Sequence, residues 1–91
     1  MYWVKEHKGV LAVCDKELIN LTFEEGKRFI EIREKFYKGE LVTKKRLKEL
    51  LFWYNNINIV GAKSVKVAEE MKIVACKHEI CCVPYAIILK M

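Results

Sequence analysis

Near its C-terminus the chain carries Cys76-Lys77-His78-Glu79-Ile80-Cys81-Cys82, which holds three of its four cysteines and one of its two histidines. Thiolate and imidazole are the ligands of structural zinc, which takes four converging N or S donors, usually from two short-spaced pairs far apart in the sequence. On a strand, Cys76, His78, Ile80 and Cys82 point to one face and Cys81 to the other. The distant second pair is missing, since His7 and Cys14 are the only spare ligands and each stands alone. The reading is therefore of small, soft hydrophobes, with no metal and no cofactor expected. A vicinal Cys81–Cys82 disulfide would be strained.

Two further groupings could do chemistry. Cys14-Asp15 closes an apolar run, and a reactive thiol there would need a neighbouring base and a depressed pKa. An enzyme built on this chain would gather Cys14, Asp15, Asn58 and the Pro84-Tyr85 loop into one pocket. Lys44-Lys45-Arg46 follows Thr43 at a helix start, where the macrodipole is already positive and free N–H groups favour an anion. Val60-Gly61-Ala62-Lys63-Ser64 lacks the second glycine of a nucleotide-binding loop. The bare helix start after Gly61, with Lys63 and Ser64, could still hold an anion. Trp3, Phe52, Trp53 and Tyr85 have faces on which bases could stack, although aromatics in so small a chain ordinarily fill the core.

The elements that position these residues follow from periodicity. YWVKEHKGVLAVCD reads as a β-hairpin turning at Lys8-Gly9. Thr22 and Glu25 stand at capping-box spacing, and Gly26 limits the helix they would start to one turn. KRFIEIRE alternates as a half-buried third strand, and FYKGE reads as a turn. Thr43 caps a helix with Leu47, Leu50, Leu51 and Tyr54 on one side, and Phe52 and Trp53 widen its apolar arc enough to predict cover on more than one side. INIVG is a brief extended piece, followed by a helix over AKSVKVAEEMK. IVACKHEIC and PYAIILK read as the last two strands, with Pro84 at a strand start where no ladder N–H is needed. Strands flanking a helical middle predict an α+β fold over residues 1–91 as one domain: an N-terminal hairpin and third strand, two central helices and two C-terminal strands.

Composition bounds the classes. With 53% hydrophobic residues and one proline, the chain is expected to fold. No stretch reaches the apolar length of a membrane helix, and the first residues lack a signal-peptide pattern, so a cytoplasmic location and reduced thiols are expected. Abundant Lys and Glu with no Gln fit a thermophile. Residues 1–43 carry eight Lys/Arg and eight Asp/Glu, and residues 44–91 carry nine and four, so the whole net charge of +5 lies in the second half. Such asymmetry suits RNA or another polyanion.

Taken together, Cys14-Asp15-x-Glu17-Leu18, Thr22-Phe23-x-Glu25-Gly26, Phe36-Tyr37-x-Gly39-Glu40, Asn58-x-Val60-Gly61 and the closing VPYAIILKM resemble an archaeal family known as domain of unknown function 424. The resemblance runs over nearly the whole chain but implies no activity. At its last motif the family pattern has Gly, His and Gln where this chain has Cys82, Tyr85 and Ile87. Family members also tend to be acidic where Lys44, Lys45 and Arg46 stand. The leading functional expectation is a binding module for RNA or a ribonucleoprotein, associated with translation. The small enzyme described above and a non-catalytic homodimer are the alternatives. The candidate binding residues are Lys44, Lys45, Arg46, Asn58, Gly61, Lys63, Ser64, Pro84 and Tyr85.

Overall fold

Apolar runs flank Lys8-Gly9 in the first fifteen positions, and in the computed structural model, which describes residues 1–90, they form a hairpin of β1 (Tyr2–His7) and β2 (Val10–Asp15). Met91, the last residue of VPYAIILKM, lies outside the described residues. Lys8 and Gly9 form the two-residue turn, both at positive φ, the twist that matches right-handed strand pairs. The hairpin belongs to a six-stranded sheet whose other members are β5 (Glu40–Val42), β6 (Asn56–Val60), β7 (His78–Ile80) and β8 (Val83–Leu89), in the order β5-β1-β2-β6-β8-β7. Among the described residues β2 and β6 pair in parallel and the other neighbours are antiparallel. The fold is α+β.

Alternation assigns each face its own cover. Leu11, Val13, Ile57, Ile59, Ala86 and Ile88 point to one side, where α2 (Lys44–Trp53) and α3 (Ala62–Glu70) close over them. From α2 come Leu47 and Leu51, fully buried, and from α3 come Val65, Val67 and Ala68. Each buried Leu or Ile contributes about 1.5–3 kcal/mol of transfer free energy, and this side holds the larger of the two buried clusters. Thr43 caps α2 by accepting from the Arg46 N–H at 3.4 Å.

The opposite face shows Ala12, Cys14 and Val60, and is covered by the connection between β2 and α2. A single 3-10 turn (Lys16–Leu18) leads to the hairpin β3 (Thr22–Glu25) and β4 (Arg28–Glu31), followed by α1 (Glu34–Tyr37). Ile32 and Tyr37 are its buried anchors. This cover reaches only part of the face. Ile87 and Leu89 on β8 stay 65% and 68% exposed, and β7 pairs with β8 only at Val83–Tyr85.

Several expectations need correction. Thr22 and Glu25 start no helical turn; they pair with Glu31 and Arg28 across a hairpin. Phe23 and Ile30 face each other in that ladder, and Gly26 at φ 63 makes the tight reversal that a capping box has no use for. FYKGE splits into the end of α1 and the start of β5. The strand expected over IVACKHEIC shrinks to His78–Ile80. Its first residues instead close α3: Lys72 enters the left-handed region at φ 60, its N–H donates to Glu69 O, and Ile73 N–H donates to Ala68 O. That is a Schellman motif, and it sends Ile73 and Val74 into the helical core. Finally, α2 is covered on one side only, because Phe52 and Trp53 are 68% and 76% exposed.

Candidate functional site

The Cys14-Asp15 pair and the Gly61 helix start turn out to be one structure. β2 runs beside β6, so Asp15 ends level with the first turn of α3. Its Oδ2 accepts from the Lys63 N–H at 3.1 Å, and its Oδ1 accepts from the Ser64 N–H at 2.7 Å and the Ser64 hydroxyl at 2.6 Å. The anion that this helix start favours is thus the chain's own buried carboxylate. Gly61 sits at φ 112, and a Cβ there would come within 2.4–2.7 Å of the Asp15 carboxylate. The Lys63 ammonium pairs with Glu17 at 2.9 Å. The expected free anion site at Gly61, Lys63 and Ser64 is therefore corrected to an internal cap. Cys14 needs correction too. Burial, with the Asp15 and Glu17 carboxylates adding, pushes its thiol up to about 12, the opposite of an activated nucleophile.

Asn58 and Tyr85 have a different setting. Across the half-covered face, Trp3, Cys14, Val60, Tyr85 and His78 form one row of cross-strand neighbours, and Lys5, Ala12, Asn58 and Ile87 form the next. Over the second row the covering segment ends, leaving an open cleft of about 420 Å³. Its walls are Ile30, Phe36, Tyr37, Tyr85 and Ile87, with the Asn58 carboxamide among them. The Tyr37 hydroxyl reaches Asn58 Oδ1 at 3.5 Å, the long limit of a hydrogen bond. Burial pushes the Tyr37 phenol up to about 12. Glu31 and Arg33 close the rim as a fork of two bonds, 2.9 and 3.1 Å, which holds the carboxyl below its usual range. Phe36 is held by His7, which stacks on its ring at 4.6 Å and stands 2.8 Å from its carbonyl, a contact in which Nε2–H donates.

The site imagined around Cys14, Asp15, Asn58 and the Pro84-Tyr85 loop does not assemble. Asn58 and Tyr85 share the cleft, Cys14 lies sealed beneath the cover, and Asp15 turns to α3. Pro84 contributes its carbonyl, which accepts from the Gly61 N–H at 2.8 Å.

The basic run forms a third feature. Lys44 pairs with Glu70 at 3.1 Å and Arg46 with Glu49 at 3.1 Å. Glu70 is held below the ordinary carboxylate range by Lys44, with Lys48 and Lys66 adding. Helical spacing puts Lys44, Lys48 and Phe52 in one exposed row of α2, and Lys45, Glu49 and Trp53 in the next. Phe52 and Trp53 meet edge to face at 5.6 Å.

The cysteine-rich stretch does not converge. Cys81 and Cys82 are the two central residues of the β7–β8 turn, at φ 50 and 64, and all four cysteines are free thiols. Cys81 is held by the β3–β4 hairpin, its N–H donating to Glu25 at 2.8 Å and its thiol to Glu24 O at 3.1 Å. Among the described residues no group of three or more His, Cys, Asp or Glu side chains is placed to hold a metal ion.

Residues 2–91 match the family model described as "Protein of unknown function (DUF424)". The chain belongs to the DUF424 family. No curated protein matches it. Among solved structures it is similar to an uncharacterized conserved protein from Methanopyrus kandleri, with a TM-score of 0.72 and 23% identity, covering 100% of this chain and 92% of that one. The likeness speaks for a shared fold. On this DUF424 chain, Asp15 and Gly61 of those motifs build the α3 cap, Thr22, Phe23 and Glu25 belong to β3, and Phe36, Tyr37 and Asn58 line the cleft with Tyr85 and Ile87, two of the three departing positions. No helix among the described residues is long and apolar enough to cross a membrane.

Proposed function

We propose that this protein binds single-stranded RNA, free or within a ribonucleoprotein, across the exposed faces of α2 and α3. The observation that carries the reading is the α2 surface, where lysines at the N-terminal half lead directly into two exposed aromatic side chains, Phe52 and Trp53. Lys66 on α3 adds to the same charge field, since it acts with Lys44 and Lys48 on Glu70. Phosphates take the lysines and bases stack on the rings, a combination that tolerates any base sequence. The ring pair matters to the argument because solvated lysines alone are ordinary, whereas two large adjacent aromatics left in water at a helix end have no core to serve.

Fluorescence anisotropy of a labelled single-stranded RNA, followed through a salt titration, tests it. Contacts to three or four phosphates give a log–log slope of roughly −2 to −3. Lys44→Glu with Lys48→Glu flattens that slope. Phe52→Ala with Trp53→Ala weakens binding at every salt concentration, by at least about 1 kcal/mol, while leaving the slope nearly unchanged. No retention of RNA at low salt, or an affinity indifferent to salt, overturns the reading.

A further inference from the structure

The cleft over β6 and β8 lies on the sheet face opposite α2 and α3, so it is a separate place from the RNA surface and does not depend on it. Its chemistry is specific in three respects. Phe36, Tyr37 and Tyr85 supply aromatic surface and Ile30 and Ile87 supply aliphatic surface, which together favour a flat, apolar-faced molecule. Asn58 supplies a carboxamide, one plane carrying both donor and acceptor, which suits the edge of a heteroaromatic ring. Its one contact among the described side chains is the long one to Tyr37, so it has hydrogen-bonding capacity to offer.

Charge narrows the class further. The ionised side chains lining the cleft are Glu31 and Arg33, and they are spent on each other in a two-bond fork. Among the described residues lining the cleft, no cation is left over to hold a phosphate. The volume, about 420 Å³, lies within the usual range for small-molecule sites. We infer that this cleft binds an uncharged planar heteroaromatic group, a nucleobase, with Asn58 reading its edge and the Tyr85 and Phe36 side chains flanking its faces. The base can come from a free nucleoside or from an unstacked position in a nucleic-acid strand.

The test is a titration of the isotopically labelled full chain, watched by two-dimensional amide NMR in about 0.5 M salt, where phosphate-driven binding is suppressed. The probes are adenosine, uridine, AMP, free ribose and a short oligonucleotide. Saturating shifts at Tyr37, Asn58, Tyr85 and Ile87 are expected with at least one nucleoside, none with ribose, and AMP no tighter than adenosine. Asn58→Ala weakens the nucleoside roughly tenfold. Should that variant fail to fold, Ile87→Glu serves instead, since position 87 is largely in water and the new carboxylate crowds the cleft. An oligonucleotide that shifts the same residues at lower concentration than its nucleoside identifies the source as a strand, and failure of the oligonucleotide alone identifies a free nucleoside. The proposal is overturned by the absence of saturating shifts up to about 5 mM. Shifts confined to other residues, or AMP binding that is tighter and salt-dependent, overturn it as well.

Discussion

At the scale of single residues, the backbone conformation of the β7–β8 turn puts two L side chains where glycine or asparagine would be at ease. Cys81 and Cys82 both have positive φ, which costs an ordinary residue of the order of 1–2 kcal/mol. Cys82→Gly is therefore expected to raise the unfolding free energy by about 1 kcal/mol, read from the urea midpoint at unchanged m-value. Alkylation separates the thiols by burial. Cys76, Cys81 and Cys82 are exposed and should be modified by a neutral-pH reagent in the folded protein, whereas buried Cys14 should react only on unfolding. Peptide mapping by mass spectrometry reads this directly; modification of Cys14 under native conditions would contradict the packing described.

At the scale of elements, the strand-to-helix join of β2 and α3 is the most demanding piece of the fold. Asp15→Ala leaves the Lys63 and Ser64 N–H groups and the Ser64 hydroxyl without their acceptor in a buried place. A loss of about 1–3 kcal/mol is expected, read by denaturant unfolding. Gly61→Ala should cost as much or more, because its methyl meets the carboxylate and its φ is unsuited to alanine. Much of this level was legible beforehand. The first hairpin, α2 with its Thr43 cap and α3 all follow from local patterns that the packed structure keeps. One misread segment was Thr22–Gly26, where a capping-box spacing and a strand alternation coexist within a few residues. What decided between them was Phe23 meeting Ile30 across the hairpin, a pairing invisible until the chain folds back.

At the scale of the whole molecule, protons link the buried groups to stability. Cys14 and Tyr37 each have a pKa raised to about 12 in the folded protein, from ordinary values of 9.0 and 10.0. A raised pKa means that the folded state keeps a proton which the unfolded chain releases. The stabilisation is therefore complete below about pH 9 and is lost as pH climbs towards 12, at up to about 1.4 kcal/mol per pH unit for each group. Urea unfolding at pH 8 and pH 10.5 should show the lower stability at the higher pH, and Cys14→Ser should lessen the difference. A stability unchanged over that interval would mean that neither group is sealed from water.

The sequence by itself determined the kind of fold and the order of most elements, because periodicity, caps and turn residues act over a few neighbouring positions. Asp15, Gly61, Asn58 and Tyr85 stood out in the sequence as candidate positions, with nothing in it to say what each touches. Their roles were decided by tertiary structure alone. Parallel pairing of β2 with β6 carries Asp15 to a helix start 48 residues away along the chain, turning a suspected anion site into an internal cap. The end of the covering segment leaves Asn58 and Tyr85 in an open cleft while sealing Cys14. Both outcomes depend on which distant surfaces meet, and burial, charge and access are set by that meeting.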